Sequence, residues 1–285
     1  MFAVTGITGN VGSVVAQALL SAGQSVRAVV RDAAKAAEWT ARGCTLAVAD
    51  IYDSASLATA FKGANAVFIM VPPVFDPGID FPEARAIAAS LRAALDAARP
   101  ARAVYLSTIG AQAAEQNLLS QHTLIEKALR DQPVPITFLR PGWFMENCLW
   151  DVAPARESGV IHSFLQPLDQ PYPMVATADI GKLAAALMQE SWTGSRVVEL
   201  EGPRRISPNE IAATFARLLG KPVRMQVVPR GEWEPLFRMQ GMKNPEPRAR
   251  MVDGFNEGWI AFEFPSAVRI GATDIEEVLK TLLAR

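Results

Sequence analysis

The chain opens with a short apolar run that ends in three glycines, Gly6, Gly9 and Gly12, spaced G-x-x-G-x-x-G. An apolar helical pattern over residues 14–20 follows immediately. A glycine turn of this kind lets the backbone approach a pyrophosphate, and the next helix directs its first N–H groups at the negative charge. Because an apolar run precedes the turn and a helical pattern follows it, the sequence predicts a dinucleotide site at the start of the chain.

Apolar runs and helical patterns alternate through the first half of the chain. The runs cover residues 25–31, 45–49, 66–71, 103–107 and 136–139. They lack a regular apolar–polar alternation, which is typical of a parallel sheet covered on both faces. We therefore expect an α/β fold with a doubly wound parallel sheet. Residues 1–150 are predicted to form the dinucleotide-binding domain.

Composition excludes several classes of function. The 28 Lys and Arg residues nearly cancel the 29 Asp and Glu residues, so no basic surplus favours nucleic acid or an anionic membrane. Cys44 and Cys148 give neither a metal-ligand spacing nor a disulfide framework. The N-terminus looks like a core strand and not a signal peptide, and no apolar stretch could span a bilayer. We expect a cytoplasmic protein without a metal site that acts on a small molecule. The oligomeric state stays open, with a homodimer as one option.

The carboxyl ends of the predicted parallel strands should form the ligand crevice. Arg31 closes the second strand with no acid before it, so it can pair with a 2′-phosphate and favours NADP(H) over NAD(H). Lys35 can support that phosphate. The alternative is a solvated Arg31 with Asp32 as the ribose ligand, but we interpret Asp32 as the cap of the next helix. Asp50 either accepts from the adenine amine or caps a turn. The other predicted cofactor contacts are Gly6, Thr8, Gly9, Asn10, Val11, Gly12, Ile51, Val71, Pro72 and Ser107.

A series of segments matches one family in its order along the chain. They are residues 5–12 (TGITGNVG), 29–32 (VVRD), 48–50 (VAD), 106–110 (LSTIG), 136–147 (ITFLRPGWFMEN), 174–181 (MVATADIG), 201–203 (EGP) and 207–211 (SPNEI). Together they resemble the NmrA-like branch of the atypical short-chain dehydrogenase/reductases. The resemblance covers nearly the whole chain and implies NAD(P)H binding by a doubly wound Rossmann domain with a small C-terminal α/β substrate lobe. Residues 151–285 would then mainly form this lobe, with residues 174–200 returning to the Rossmann domain. Quinone reductases, other small-molecule reductases and non-catalytic redox sensors are among the relatives.

One catalytic pair of the broader superfamily is absent. Typical members carry Tyr-x-x-x-Lys on the helix after the fifth strand, where the matching positions here are His122 and Glu126. Lys127 is one residue out of register and should face elsewhere on the helix. His122 is either a proton donor near neutral pH or a structural histidine. Ser107 matches the family's catalytic serine, but it is expected beside the nicotinamide ribose and could simply end its strand.

The predicted substrate contacts are mostly apolar or aromatic, and they suit a flat ring. They are Pro73, Phe75, His122, Trp143, Phe144, Asn147 and Met174, of which the residues after the sixth strand could instead serve lobe packing. We expect an NADPH-dependent oxidoreductase that passes hydride to a small apolar acceptor such as a quinone. The alternatives are a non-catalytic NADP(H) redox sensor that regulates a partner, and a reductase of imines or activated double bonds in secondary metabolism.

Overall fold

The computed structural model describes all residues from 1 to 285. Its strands are β1 (Phe2–Thr5), β2 (Val26–Val30), β3 (Thr45–Val48), β4 (Ala66–Ile69), β5 (Ala103–Leu106), β6 (Ile136–Pro141), β7 (Trp143–Phe144), β8 (Val160–Ser163), β9 (Met174–Val175), β10 (Ser195–Glu201), β11 (Arg224–Val227) and β12 (Arg269–Ile270). Its helices are α1 (Asn10–Ser21), α2 (Ala37–Ala41), α3 (Ser54–Phe61), α4 (Pro82–Ala98), α5 (Ser120–Leu129), α6 (Leu149–Glu157), α7 (Thr177–Gln189), α8 (Pro208–Leu219), α9 (Trp233–Met239), α10 (Glu246–Glu257) and α11 (Ile275–Leu283).

Eight strands form one sheet in the order β12-β10-β6-β5-β4-β1-β2-β3. Every pairing within it is parallel, so all the carboxyl ends lie at one edge. The chain runs outward from β1 to β3 on one side and then from β4 to β12 on the other. The order therefore reverses between β1 and β4, which is where an open parallel sheet offers a crevice to a ligand.

Helices cover both faces of this sheet. Residues of α1 and α7, such as Leu19 and Ile180, share one apolar core with the sheet. Residues of α3, α4 and α5, such as Leu57, Leu91 and Ile125, form the core on the other face. These two layers explain why the strands carry continuous apolar runs, and the predicted doubly wound α/β fold is confirmed.

A third core of 27 buried residues belongs to the C-terminal part of the chain, with Trp233, Phe215 and Phe237 among its large members. The two-stranded pairs β7–β9 and β8–β11 flank it. Helix α8 begins with a capping box in which the side chains of Ser207 and Glu210 satisfy each other's backbone N–H groups.

The segment from 143 to 175 differs most from the sequence-based expectation. No element was predicted there, yet it contains β7, α6, β8 and β9. Helix α6 carries Pro154 in its interior, so its sequence lacks a normal helical pattern. Helix α5 starts at Ser120, after a turn in which the Asn117 side chain accepts a hydrogen bond from the Leu119 N–H at 2.8 Å. No helix is both long and apolar enough to cross a membrane.

Candidate active site

The three glycines of the turn between β1 and α1 have different structural roles. Gly6 has a φ of +62°, which favours glycine, and its carbonyl accepts from the Gly9 N–H at 2.9 Å. A Cβ on Gly12 would collide with the Gly6 carbonyl, so this glycine lets α1 pack directly on the turn. A Cβ on Gly9 would meet nothing closer than 3.4 Å. Gly9 is therefore dispensable for packing, and its bare face is available to a ligand.

The N-terminus of α1 is left open for an anion. No side chain caps the helix, and its first turn contains no acidic residue. The N–H groups of Asn10, Val11 and Gly12 have no acceptor in the protein. Such unpaired donors, together with the helix dipole, form an anion-binding site. The turn fits the pyrophosphate of a dinucleotide, as the sequence predicts.

The ends of β2 and β3 carry the predicted adenosine contacts. Arg31 and Lys35 are exposed. Neither of them forms an ion pair or side-chain hydrogen bond, so both stay available to a phosphate. The Asp32 carboxylate accepts from the Ala34 N–H at 3.0 Å and caps the short helix Ala33–Ala36, in agreement with its predicted role as a cap. One oxygen of Asp50 accepts from the Tyr52 N–H at 2.9 Å, which is the turn-capping alternative. Its contact with adenine stays a prediction.

A buried polar network lies behind the end of β5. The Ser107 hydroxyl donates to Glu126 on α5 at 2.5 Å. Arg140, at the end of β6, grips the same carboxylate through Nε at 2.9 Å and Nη2 at 2.6 Å. A second carboxylate, that of Glu263, accepts from Arg140 Nη1 at 2.5 Å. In the sequence, Glu126 stands at the position of the missing lysine and Arg140 lies in the segment 136–147, and nothing in their spacing indicates that the two side chains pair.

His122 lies one helical turn before Glu126 and points at the fifth strand. Its Nδ1 is 2.8 Å from the hydroxyl of Tyr105, which is fully buried. Burial lowers the pKa of His122 to about 4, against a smaller opposing effect of the Glu126 charge. The imidazole is therefore neutral near neutral pH, and the structure favours the structural interpretation of this histidine. Lys127 is exposed.

The loop between β4 and α4 carries the predicted residues Pro72, Pro73 and Phe75, and all three are exposed. The loop is tied down on two sides. Gln121 of α5 donates to the Val74 carbonyl at 3.0 Å. The Asp76 carboxylate accepts the N–H groups of residues 243 and 244 in the C-terminal lobe at 2.9 and 2.8 Å. These bonds fix the loop between the sheet and the lobe, at the edge where the strands end.

The other predicted substrate residues are more dispersed. Trp143 meets Phe255 edge to face at 5.1 Å between ring centroids, and Phe144 packs against the core of the sheet. Asn147 is exposed. Met174 is only 1% exposed and lies in the core of the lobe. The structure thus gives Trp143, Phe144 and Met174 packing roles, and their contact with a substrate stays a prediction.

A cavity of about 630 Å³ lies beside α5, on the side of Arg85, Lys127 and Glu263. Neither the glycine turn nor any predicted substrate residue lines it. The structure contains no cluster of three or more His, Cys, Asp or Glu residues that could hold a metal ion.

A glycine turn at the reversal of a parallel sheet, an open helix N-terminus and free basic side chains after the second strand define a dinucleotide-binding α/β protein. The profile of the NmrA-like family matches residues 1–250, and the chain belongs to this family. The resemblance inferred from the sequence motifs is therefore confirmed.

Characterised relatives cover nearly the same length. The chain is 30% identical over 263 residues to an NAD(P)H azoreductase of Xenophilus azovorans, spanning 90% of this chain and 85% of that protein. It is 28% identical over 257 residues to quinone oxidoreductase 2 of Escherichia coli, spanning 88% and 85%. A crystal structure of an NADPH-dependent quinone oxidoreductase of E. coli complexed with NADPH superposes with a TM-score of 0.82, at 25% identity and 99% coverage of both chains.

Proposed function

We propose that this protein is an NADPH-dependent oxidoreductase that reduces a small, flat, conjugated acceptor, with a quinone as the best-supported class. When bound, NADPH supplies the hydride, and the protein's task is to place the acceptor against the nicotinamide. The relatives named for quinone and azo reduction support this acceptor class. Both groups are conjugated and share the flat shape that the exposed loop residues Pro73 and Phe75 suit.

The residues present can hold such a cofactor. The first N–H groups of α1 would bind the pyrophosphate, and Gly9 leaves room for it. Arg31 and Lys35 are free to pair with the 2′-phosphate. Ser107, at the end of β5, is placed at the carboxyl edge of the sheet where the nicotinamide half should lie.

The observation that carries the choice of acceptor is the bond from Ser107 to Glu126. A hydroxyl has one proton to donate, and Ser107 gives it to the carboxylate that Arg140 holds. The oxygen of Ser107 can therefore accept a hydrogen bond in the cleft but cannot donate one. His122 is no acid either, because its pKa is lowered to about 4.

This arrangement separates two kinds of acceptor. Hydride transfer to a plain ketone creates an alkoxide, and losing one donor to such an oxyanion typically costs about a hundredfold or more in rate. Hydride transfer to a quinone creates a hydroquinone anion whose charge spreads over its own ring, so water can protonate it later. The groups around Ser107 therefore permit quinone reduction and disfavour reduction of plain ketones.

The test is product analysis without oxygen. Purified protein, NADPH and a water-soluble quinone should yield one hydroquinone for each NADPH consumed. Ser107→Ala should keep most of this activity, because the hydroxyl donates nothing to the substrate. Loss of nearly all turnover in Ser107→Ala with NADPH binding intact would contradict the proposed role of Ser107. A cytoplasmic location and a homodimer are further proposals, and light scattering of the purified protein tests the latter.

A further inference from the structure

Met70 lies against the glycine turn between β1 and α1, although it comes from a different strand. It follows β4, the strand that neighbours β1 at the point where the sheet order reverses. Its Cε lies 2.3 Å from where a Cβ on Gly6 would stand and 3.4 Å from where a Cβ on Gly9 would stand. The thioether thus occupies the space that a side chain on Gly6 would need and borders the bare face of Gly9.

A hydrogen bond holds the backbone of Met70, and its side chain rests on the glycine turn. The Met70 N–H donates to the Thr5 hydroxyl at 2.8 Å, which holds β4 against β1. The side chain is half-buried and makes its contact on the turn through its last atom. Methionine has three rotatable bonds and no branching, so this contact can adapt to a ligand.

The Met70 side chain borders the face of Gly9 that a bound dinucleotide would contact. Among the three glycines of the turn, only Gly9 could carry a Cβ with no atom of the protein closer than 3.4 Å. The Met70 methyl is one of the two atoms at that distance. A pyrophosphate bound on the turn therefore lies against the thioether and covers it from solvent.

We propose that Met70 forms a wall of the pyrophosphate site and makes dinucleotide binding sensitive to peroxides. A peroxide transfers one oxygen atom to the sulfur, which loses two electrons, while the O–O bond breaks and water leaves. The resulting sulfoxide is polar and adds a partly negative oxygen beside the phosphates. A bound dinucleotide that covers the sulfur should in turn shield it from the peroxide. This inference rests on the cofactor site described above and not on the identity of the acceptor.

Oxidation mapped by peptide mass spectrometry tests the location. The protein is treated with hydrogen peroxide, with or without saturating NADP⁺. NADP⁺ at about a hundredfold excess over its Kd should slow oxidation of Met70 by roughly tenfold or more. Met239, which is 76% exposed, serves as the internal control and should oxidise at the same rate in both samples. Equal rates for Met70 with and without NADP⁺ would overturn the proposal.

Calorimetry with NADP⁺ tests the consequence. Met70→Leu keeps the apolar volume without sulfur, and Met70→Gln adds a polar group of similar length. Oxidised wild type and Met70→Gln should bind about tenfold more weakly, whereas Met70→Leu should bind within about threefold of wild type before and after peroxide. Circular dichroism checks that each variant is folded.

The Leu variant also controls for other oxidisable groups. It retains Met239 and the buried thiols Cys44 and Cys148. If peroxide weakened NADP⁺ binding by Met70→Leu as much as by wild type, the sensitive group would lie elsewhere and the proposal would be wrong. Binding by wild type that stays unchanged when Met70 is fully oxidised would overturn it as well. Both measurements use no acceptor, so a failure of quinone reduction would leave their outcome intact.

Discussion

Arg140 holds Glu126 through two hydrogen bonds, of 2.9 and 2.6 Å, inside the protein. The two side chains are 2% and 3% exposed. Removing one member of a buried pair leaves the other charge without compensation, which is far more costly than losing a pair on the surface. The pair therefore fixes α5 to the end of β6 and sets the direction of the Ser107 proton.

We expect Arg140→Met to lower the free energy of unfolding by about 3–5 kcal/mol, because the buried Glu126 charge would keep only the longer, half-exposed contact with Arg130 at 3.4 Å. Adding Glu126→Leu in the same chain should recover most of this loss. Urea unfolding measures both. Arg217→Met is the matched control, since the pair of Arg217 with Glu276 is 56% and 32% exposed, and it should change stability by about 1 kcal/mol or less. Equal effects of Arg140→Met and Arg217→Met would contradict a structural role for the buried pair.

Cofactor choice should depend on Arg31. One charge-assisted bond to the 2′-phosphate contributes about 1.5–3 kcal/mol, so NADPH should bind roughly ten- to a hundredfold more tightly than NADH. Arg31→Ala should remove most of this preference and leave NADH binding nearly unchanged, as measured by calorimetry. Arg42→Ala serves as the control, because Arg42 is already paired with Glu38. Equal affinity of the wild type for both cofactors would rule out this role.

Gly9 and Gly12 should respond differently to the same substitution. Gly9→Val should abolish dinucleotide binding in a folded protein, because its side chain would occupy the ligand's space and not the protein's. Gly12→Val should lower the melting temperature, because its Cβ would collide with the Gly6 carbonyl. Calorimetry and thermal unfolding separate the two effects. Micromolar binding retained by Gly9→Val would place the cofactor elsewhere.

His122 should affect stability at low pH more than catalysis at neutral pH. Its pKa is lowered from 6.5 to about 4 by burial, so the unfolded state takes up the proton first as the pH falls. The contribution of neutral His122 to the free energy of unfolding is complete above the pKa of the unfolded state. It is lost as the pH falls from about 6.5 to about 4. Burial raises the pKa of Asp151 to about 7, so protonation of this group stabilises the folded protein as the pH falls, which opposes the effect of His122. Comparing wild type with His122→Gln isolates the contribution of the histidine.

Urea unfolding at about pH 7 and about pH 5 should show a larger loss of stability for wild type than for His122→Gln. His122→Ala should also lower the quinone rate only modestly, by roughly tenfold or less, since a required general acid typically supplies about a hundredfold or more. A much larger fall in kcat with NADPH binding intact would make His122 a catalytic acid.

The sequence predicts the large sheet well for physical reasons. Continuous apolar strands and capped helices repeat with regular punctuation, as in α3, where Asp53 caps the helix through the Ala55 N–H. The elements of the C-terminal lobe are harder to predict from the sequence, because α6 contains Pro154 and the strands β7 and β9 have two residues each. Such short elements are held by tertiary packing and leave no periodic signal.

The residues of the candidate site likewise fall into those that the sequence predicts and those that it does not. Residues that act through backbone geometry, such as Gly9 and Gly12, carry a local sequence signal. The bonds of Glu126 with Ser107 and Arg140 join three separate elements, and Met70 contacts the turn after β1 from the end of the neighbouring strand β4. Contacts between residues distant in sequence have no signature in a single chain, so only the structure reveals them.

The most direct test of the account compares two acceptors under one set of conditions. NADPH consumption, followed by the loss of its absorbance, is measured with a water-soluble quinone and with a plain ketone of similar size. We predict saturable turnover of the quinone and a kcat/KM for the ketone lower by about a hundredfold or more, because the Ser107 hydroxyl gives its proton to Glu126 and His122 is not an imidazolium acid near neutral pH. Efficient turnover of the ketone would contradict this account. Tight NADPH binding without turnover of any acceptor would contradict it too and would favour an NADP(H) sensor.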